Sequence, residues 1–299
     1  MWLYLGIASA LFLGVYDVFK KISVNRNAVP QVLFFSTCFG ALLTFPVFLL
    51  SCLLPETMAS MGLYAEMPPV ESHLLIIAKT VLVSVSWISA YFALKHLPIS
   101  IVSPIRASAP LWTLLGAVLF LGESLERLHW VGIGITFVSY YLFSVIGKRE
   151  GIAFTGNRYI TLVFIATFTG SISALYDKFL LHRVAISPIT LQVWFSFYLV
   201  LSTFVVWRLI RAFRPNASDR FEWRHSIALI GIFLILADYL YFRALSHRDA
   251  LIAVLSVVRR SAVVVSFVFG GLLFREKNKR FKAIALLGVL VGISLLMIA

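Results

Sequence analysis

Apolar residues run in long stretches of about twenty, separated by short polar or proline-containing breaks, and a bilayer-spanning helix needs about 20 such residues. Cutting the chain at those breaks predicts ten helical spans: 2–24, 31–54, 73–94, 98–121, 128–147, 159–181, 189–211, 225–245, 249–274 and 281–298. Almost nothing remains for a water-soluble domain, so the expected fold class is an all-α integral membrane protein. Residues 1–24 fill a whole span without the basic start of a cleaved leader, and read as a retained first helix.

Composition agrees with the pattern. Of 299 residues 61% are hydrophobic and only 13% charged, about half the charge of an ordinary soluble domain. The formal net charge of +13 could suggest nucleic acid, but its placement does not. With ten alternating spans, 17 of the 26 basic residues gather on one side and six on the other, the remaining three lying deep in spans. Basic loops mark the cytoplasmic face, which puts both termini outside, expectedly at the cell membrane. The basic runs are then orientation signals and lipid contacts, and no nucleic-acid partner is expected. Cys38 and Cys52 share one span and are too few for a disulfide framework or a metal site. No metal or other cofactor is expected.

Three stretches repeat. "FLGVYDVFKK" at 12–21 returns as "ISALYDKFLL" at 172–181, "YFALKHLPIS" at 91–100 as "YFRALSHRDA" at 241–250, and "VLFLGESL" at 118–125 as "GLLFREKN" at 271–278, with Glu123 over Glu276. The halves are 1–148 and 149–299. Each holds five spans, an odd number, so the second half must cross in the opposite sense to the first. Inverted repeats of this kind place a substrate site between them near mid-membrane.

The run "YFALKHLPISIVSPIRASAPLWTLLGAVLFLGESLERLHWVGIGITFVSYYLF" at 91–143 resembles the EamA-type repeat of the drug/metabolite transporter superfamily, through its "AL" ending of the third helix, proline in the fourth, "LFLGE" and a final helix with spaced small residues. The resemblance implies a ten-helix carrier of small metabolites, with helices of both halves around a central cavity.

Charges inside spans are costly and tend to face a bundle interior. Asp17 and Arg106 lie at matching depth, roughly 10 and 12 Å from one surface, and Asp177 and Arg259 roughly 8 and 15 Å from the other, at 1.5 Å rise per residue. They are expected as gating ion pairs, Asp17 with Arg106 and Asp177 with Arg259. The alternative is local pairing of the aspartates with Lys20, Lys21 or Lys178. Asp238 has no acidic counterpart, Ile88 taking its place, and either balances Arg260 or Arg243 or binds a coupling proton. Arginines facing a cavity favour carboxylate or phosphate. Arg106, Arg259, Asp238, Trp87, Tyr91, Trp112, Tyr239 and Tyr241 are therefore the candidate substrate-binding residues, the aromatics supplying stacking for an organic body. Pro98, Pro104 and Pro110 should bend the fourth span. "GVLVG" at 288–292 suits close helix packing or a homodimer face.

The expected function is secondary transport of a small organic metabolite with an anionic or zwitterionic group, by alternating access. A lipid-flippase-like carrier or a non-transporting membrane subunit is the alternative. An intramembrane enzyme is disfavoured, since the sequence has no HExxH and no Walker loop.

Overall fold

A computed structural model describes residues 2–107, 109–121, 126–149, 156–213, 220–273 and 279–298. The helices are α1 (Trp2–Val24), α2 (Val29–Leu53), the short α3 (Pro55–Ser60), α4 (Val70–His96), α5 (Ile99–Ala107), α6 (Ala109–Leu121), α7 (Arg127–Arg149), α8 (Arg158–His182), α9 (Pro188–Phe213), α10 (His225–Leu245), α11 (Ile252–Arg260), α12 (Ala262–Leu273) and α13 (Lys279–Ile298). Six of them, α1, α2, α4, α8, α9 and α10, are long and apolar enough to cross a membrane. Large apolar side chains point outward along them, among them Leu42, Leu74, Val81, Phe168 and Leu201, as lipid-facing surfaces require. The Glu123 and Glu276 landmarks lie outside the described residues.

One expected continuous span is divided in two: residues 249–274 form α11 and α12. Residues 98–121 hold α5 and α6, and residue 108 between them lies outside the described residues. The division of 249–274 has no proline. There the Ser261 N–H bonds the Val258 carbonyl at 3.0 Å and the Val264 N–H bonds the Ser261 carbonyl at 2.9 Å, so three-residue turns replace four-residue ones. Arg106 stands in the last turn of α5, and Arg259 and Arg260 in that of α11.

The principal packing is between the halves. α1 lies along α10 and α8 along α4; α2 packs on α9, and α7 on α13; α1 meets α11 and α12, and α8 meets α5 and α6. Exchanging the helices of one half for those of the other returns this same pattern. Small residues allow the close crossings. A Cβ on Gly231 of α10 would stand 2.4 Å from the Ser36 carbonyl oxygen and 2.7 Å from the Gly40 nitrogen, both backbone atoms of α2. One on Gly288 of α13 would meet Ser139 Oγ of α7, so this glycine of "GVLVG" serves packing within the chain.

Hydroxyls stitch the same interfaces. Ser9 donates to the Ala237 carbonyl and Ser86 to the Ala166 carbonyl, both at 2.6 Å, while Thr37 bonds Thr203 at 2.9 Å and Ser84 bonds Ser202 at 2.7 Å. In a bilayer core, which offers no water, these bonds satisfy groups that would otherwise be orphaned. The turns after α1 and α8 also correspond. Arg26 and Ala185, the non-glycine residues with positive φ among those described, stand 159 apart at 52° and 61°.

Two large apolar clusters stand out among the described residues. One gathers Val24, Val29, Leu33, Leu94, Ile99, Ile160 and Ile227 near the C-terminal ends of α1 and α4; the other gathers Ile76, Leu180, Leu191, Phe242, Leu245 and Ile252 at the opposite end. Trp87 packs against both. The charged residues lie where the two clusters meet.

Candidate functional site

Between the clusters is a cavity of about 100 Å³. α1 contributes Leu13 and Tyr16, α4 contributes Lys79, Ser86 and Trp87, and α5 contributes Arg106. From the second half come Ser173 and Asp177 of α8, Phe195 of α9, Asp238 and Tyr241 of α10, and Ser256, Arg259 and Arg260 of α11. Four cations and two carboxylates thus line a space enclosed by apolar helices. Ions in so dry a place persist only when paired.

Toward one end, Asp17 accepts from Lys20, one helical turn away, and from Arg106 Nη1 at 3.4 Å. The cross-helix partner and the local partner expected as alternatives are both present on one carboxylate. Lys20 is 1% exposed, and its ammonium lies 4.3 Å from the centroid of the Tyr16 ring and 5.4 Å from that of Tyr91. Two cations sharing one carboxylate leave this layer with an excess positive charge.

At the other end the expected pairing of Asp177 with Arg259 is replaced. Asp177 takes Lys79 of α4, and Arg259 bonds Asp238 of α10. The physical reason is packing. α4 runs along α8, which brings Lys79 against Asp177, while α11 begins close to the end of α10, which hands Arg259 to Asp238. Lys79 also faces the rings of Phe195 and Phe242, at 4.5 and 5.1 Å, and the Arg259 guanidinium carbon lies 4.2 Å from the centre of the Tyr241 ring. These contacts stabilise cations that water does not reach.

Of the aromatic candidates, Trp87 and Tyr241 line the cavity. Tyr91 is fully buried beside Lys20, behind the lining. Trp112 and Tyr239 stand elsewhere. Trp112, on α6, is 38% exposed and meets Phe168 edge-on at 5.6 Å. Tyr239 follows Asp238 by one residue, a rotation of about 100°, and packs instead on Ala65, Ile189 and Val193. Lys79, one of the most buried charges, was not among the expected site residues, although it interrupts the apolar run "LLIIAKTVLVSV".

Among the described residues, Tyr241 Oη, Ser256 Oγ and Arg259 Nε are cavity-lining groups buried without a hydrogen-bond partner. Buried polar atoms are rarely left so. All three can donate, and together they make one wall of the cavity suited to an acceptor-rich group.

The family model for the EamA-like transporter family matches the chain twice, over residues 1–145 and 157–298. The chain belongs to the EamA-like transporter family. Both matches together span nearly all of it, and the interval between them falls before α8, where the two sets of helices meet. Among curated proteins, a pseudopaline exporter of Pseudomonas aeruginosa (strain UCBPP-PA14), CntI, is 22% identical over 282 residues, covering 90% of this chain and 86% of the relative. A solved crystal structure aligns with 97% of this chain and 98% of its own at a TM-score of 0.65 and 13% identity, a likeness of fold alone. As an EamA-like family member the chain is a multi-pass membrane transporter.

Proposed function

We propose that this EamA-like family member is a secondary transporter that moves a small organic metabolite bearing an anionic group, by alternating access to a site between its two halves. The observation that carries the reading is the cavity itself, built from both halves and lined by four cations, two carboxylates and three unpartnered donors. Guanidinium groups match carboxylate oxygens in paired hydrogen bonds, and Trp87 and Tyr241 offer faces to an organic body. The pseudopaline exporter among its relatives is a carrier of a metabolite, which fits the class.

Ten spans in two inverted five-helix units give this carrier its mechanism. The exchangeable packing pattern and the paired left-handed turns support that arrangement. The cavity of about 100 Å³ has room for several waters, well below the several hundred Å³ of a pocket for a drug-sized ligand. Admitting a metabolite requires the halves to part at one end. The two charged layers are the gates: Asp17 with Arg106 and Lys20 toward one surface, Asp177 with Lys79 toward the other. A desolvated ion pair costs nearly what its attraction returns, so such pairs can open without a large net penalty. The basic face, which includes Arg158, Arg220 and Arg224, is cytoplasmic, and both termini lie outside.

Thermal unfolding of the purified protein against organic acids, amino acids, phosphorylated metabolites and cationic drugs tests the reading, since a ligand selective for the folded form raises the melting temperature. Stabilisation by anionic metabolites, abolished by Arg259→Gln, is the expected result. Stabilisation by cations alone would remove the anion preference.

A further inference from the structure

Asp238 breaks the twofold pattern of the cavity. Its counterpart in the first half is Ile88, so an acid has been placed on one side only, directly on Arg259. The contact is incomplete. Asp238 Oδ1 engages Nη2 of Arg259, while Nε of the same guanidinium has no partner. Tyr241 Oη and Ser256 Oγ, 2% and 7% exposed as residues, are likewise unpartnered and line the same wall. A carboxylate arriving from the cavity can meet Nε and Nη2 together and accept from both hydroxyls, which Asp238, tethered to α10, does not do.

Building on the anionic-substrate reading, we infer that Asp238 is an internal occupant of an anion site formed by Arg259, Tyr241 and Ser256, and that a substrate carboxylate displaces it, with Asp238 taking up one proton as it leaves. The displaced carboxyl is buried, and a buried carboxylate without a cation neutralises by protonation. The charged and titratable groups around it do not offer a replacement. Lys79 is engaged by Asp177, Arg106 by Asp17, and Arg259 by the incoming anion. Tyr16 and Tyr241 are neutral hydroxyls, Asp177 repels a second negative charge, and Arg260, which lines the same cavity, interacts electrostatically with Asp17. Substrate and proton are therefore bound together, and the loaded carrier gains no net charge at this site.

The test uses the full chain in lipid nanodiscs with succinate and citrate as carboxylate probes and choline as a cationic control. Affinity is read by titration calorimetry, and proton uptake by repeating the titration in buffers of different ionisation enthalpy. The wild type is expected to bind a carboxylate probe with uptake of close to one proton. Asp238→Asn should bind it about tenfold more tightly or better, the range for a charge-assisted hydrogen bond no longer in competition, with no proton uptake. Because that change leaves Arg259 without its partner, the unliganded variant should be the less stable form and gain more thermal stability from succinate than the wild type. Tyr241→Phe and Ser256→Ala leave the Arg259–Asp238 contact in place and should each weaken succinate binding several-fold, with proton uptake retained. If the wild type binds carboxylates but Asp238→Asn binds them equally or more weakly, or takes up the same number of protons, the displacement idea is wrong while the anionic-substrate reading stands. If choline binds and carboxylates do not, or no probe binds, both fall together.

Discussion

The Lys79–Asp177 pair offers the most quantitative consequence of the buried charges. Its side chains are 3% and 6% exposed, so neutralising one partner leaves the other charged, desolvated and alone. Such a loss costs about 3–5 kcal/mol, whereas removing both charges together is often close to neutral. The two single changes should not be equal. In Asp177→Asn the ammonium of Lys79 keeps the faces of Phe195 and Phe242, at 4.5 and 5.1 Å, worth about 1 kcal/mol or more. In Lys79→Met the carboxylate keeps no such contact and shares the cavity with Asp238. Asp177→Asn should therefore fall near about 3 kcal/mol and Lys79→Met near about 5, with the double variant within about 2 kcal/mol of wild type. Equilibrium unfolding in mixed micelles on rising dodecyl sulfate reads all three and closes a double-mutant cycle. A coupling energy of at least about 2 kcal/mol is expected. Additive single changes, or a Lys79→Met as mild as a surface substitution, would refute the pairing and the low-dielectric setting assigned to it.

Three further outcomes follow from the packing. Gly231→Ala drives a methyl group to within 2.4 Å of the Ser36 carbonyl oxygen, a backbone atom that cannot rotate away, and should cost about 1–3 kcal/mol in the same unfolding assay. Asn27→Ala removes a two-way clamp in which the side-chain amide donates to the Glu222 carbonyl at 2.8 Å and accepts from the Glu222 N–H at 2.9 Å, and should cost about 2 kcal/mol. Lys21→Met withdraws an ammonium that donates to the last carbonyls of α4, Leu94 and Leu97, at 2.6 and 2.9 Å, and should lower stability by about 1–2 kcal/mol and speed amide exchange at the end of that helix.

The sequence showed the long helices because a bilayer imposes length and hydropathy on every span, a constraint that survives without knowledge of neighbours. It showed the match of Asp17 to Arg106 for a related reason: helical rise converts residue number into depth. Depth alone did not supply the second pair, because pairing also requires rotation about each helix axis and knowledge of which helices touch. Lys79 sat at a suitable depth near Asp177, but the adjacency of α4 to α8 was not written in either segment. The same gap explains Trp112 and Tyr239, aromatic and near mid-span yet turned away from the cavity. The division at Ser261 carried no breaker residue, so only the backbone hydrogen bonds there reveal it.

The most direct measurement for alternating access is the reach of solvent to Ser256 from each side of the membrane. In a background with Cys38 and Cys52 replaced, the second of which is exposed, a Ser256→Cys variant is treated with a membrane-impermeant maleimide from outside intact cells and, separately, on inside-out vesicles. A cavity that opens in turn to each side predicts labelling from both preparations, slowed in each by a stabilising anionic metabolite. Labelling from one side only, or from neither, would contradict it.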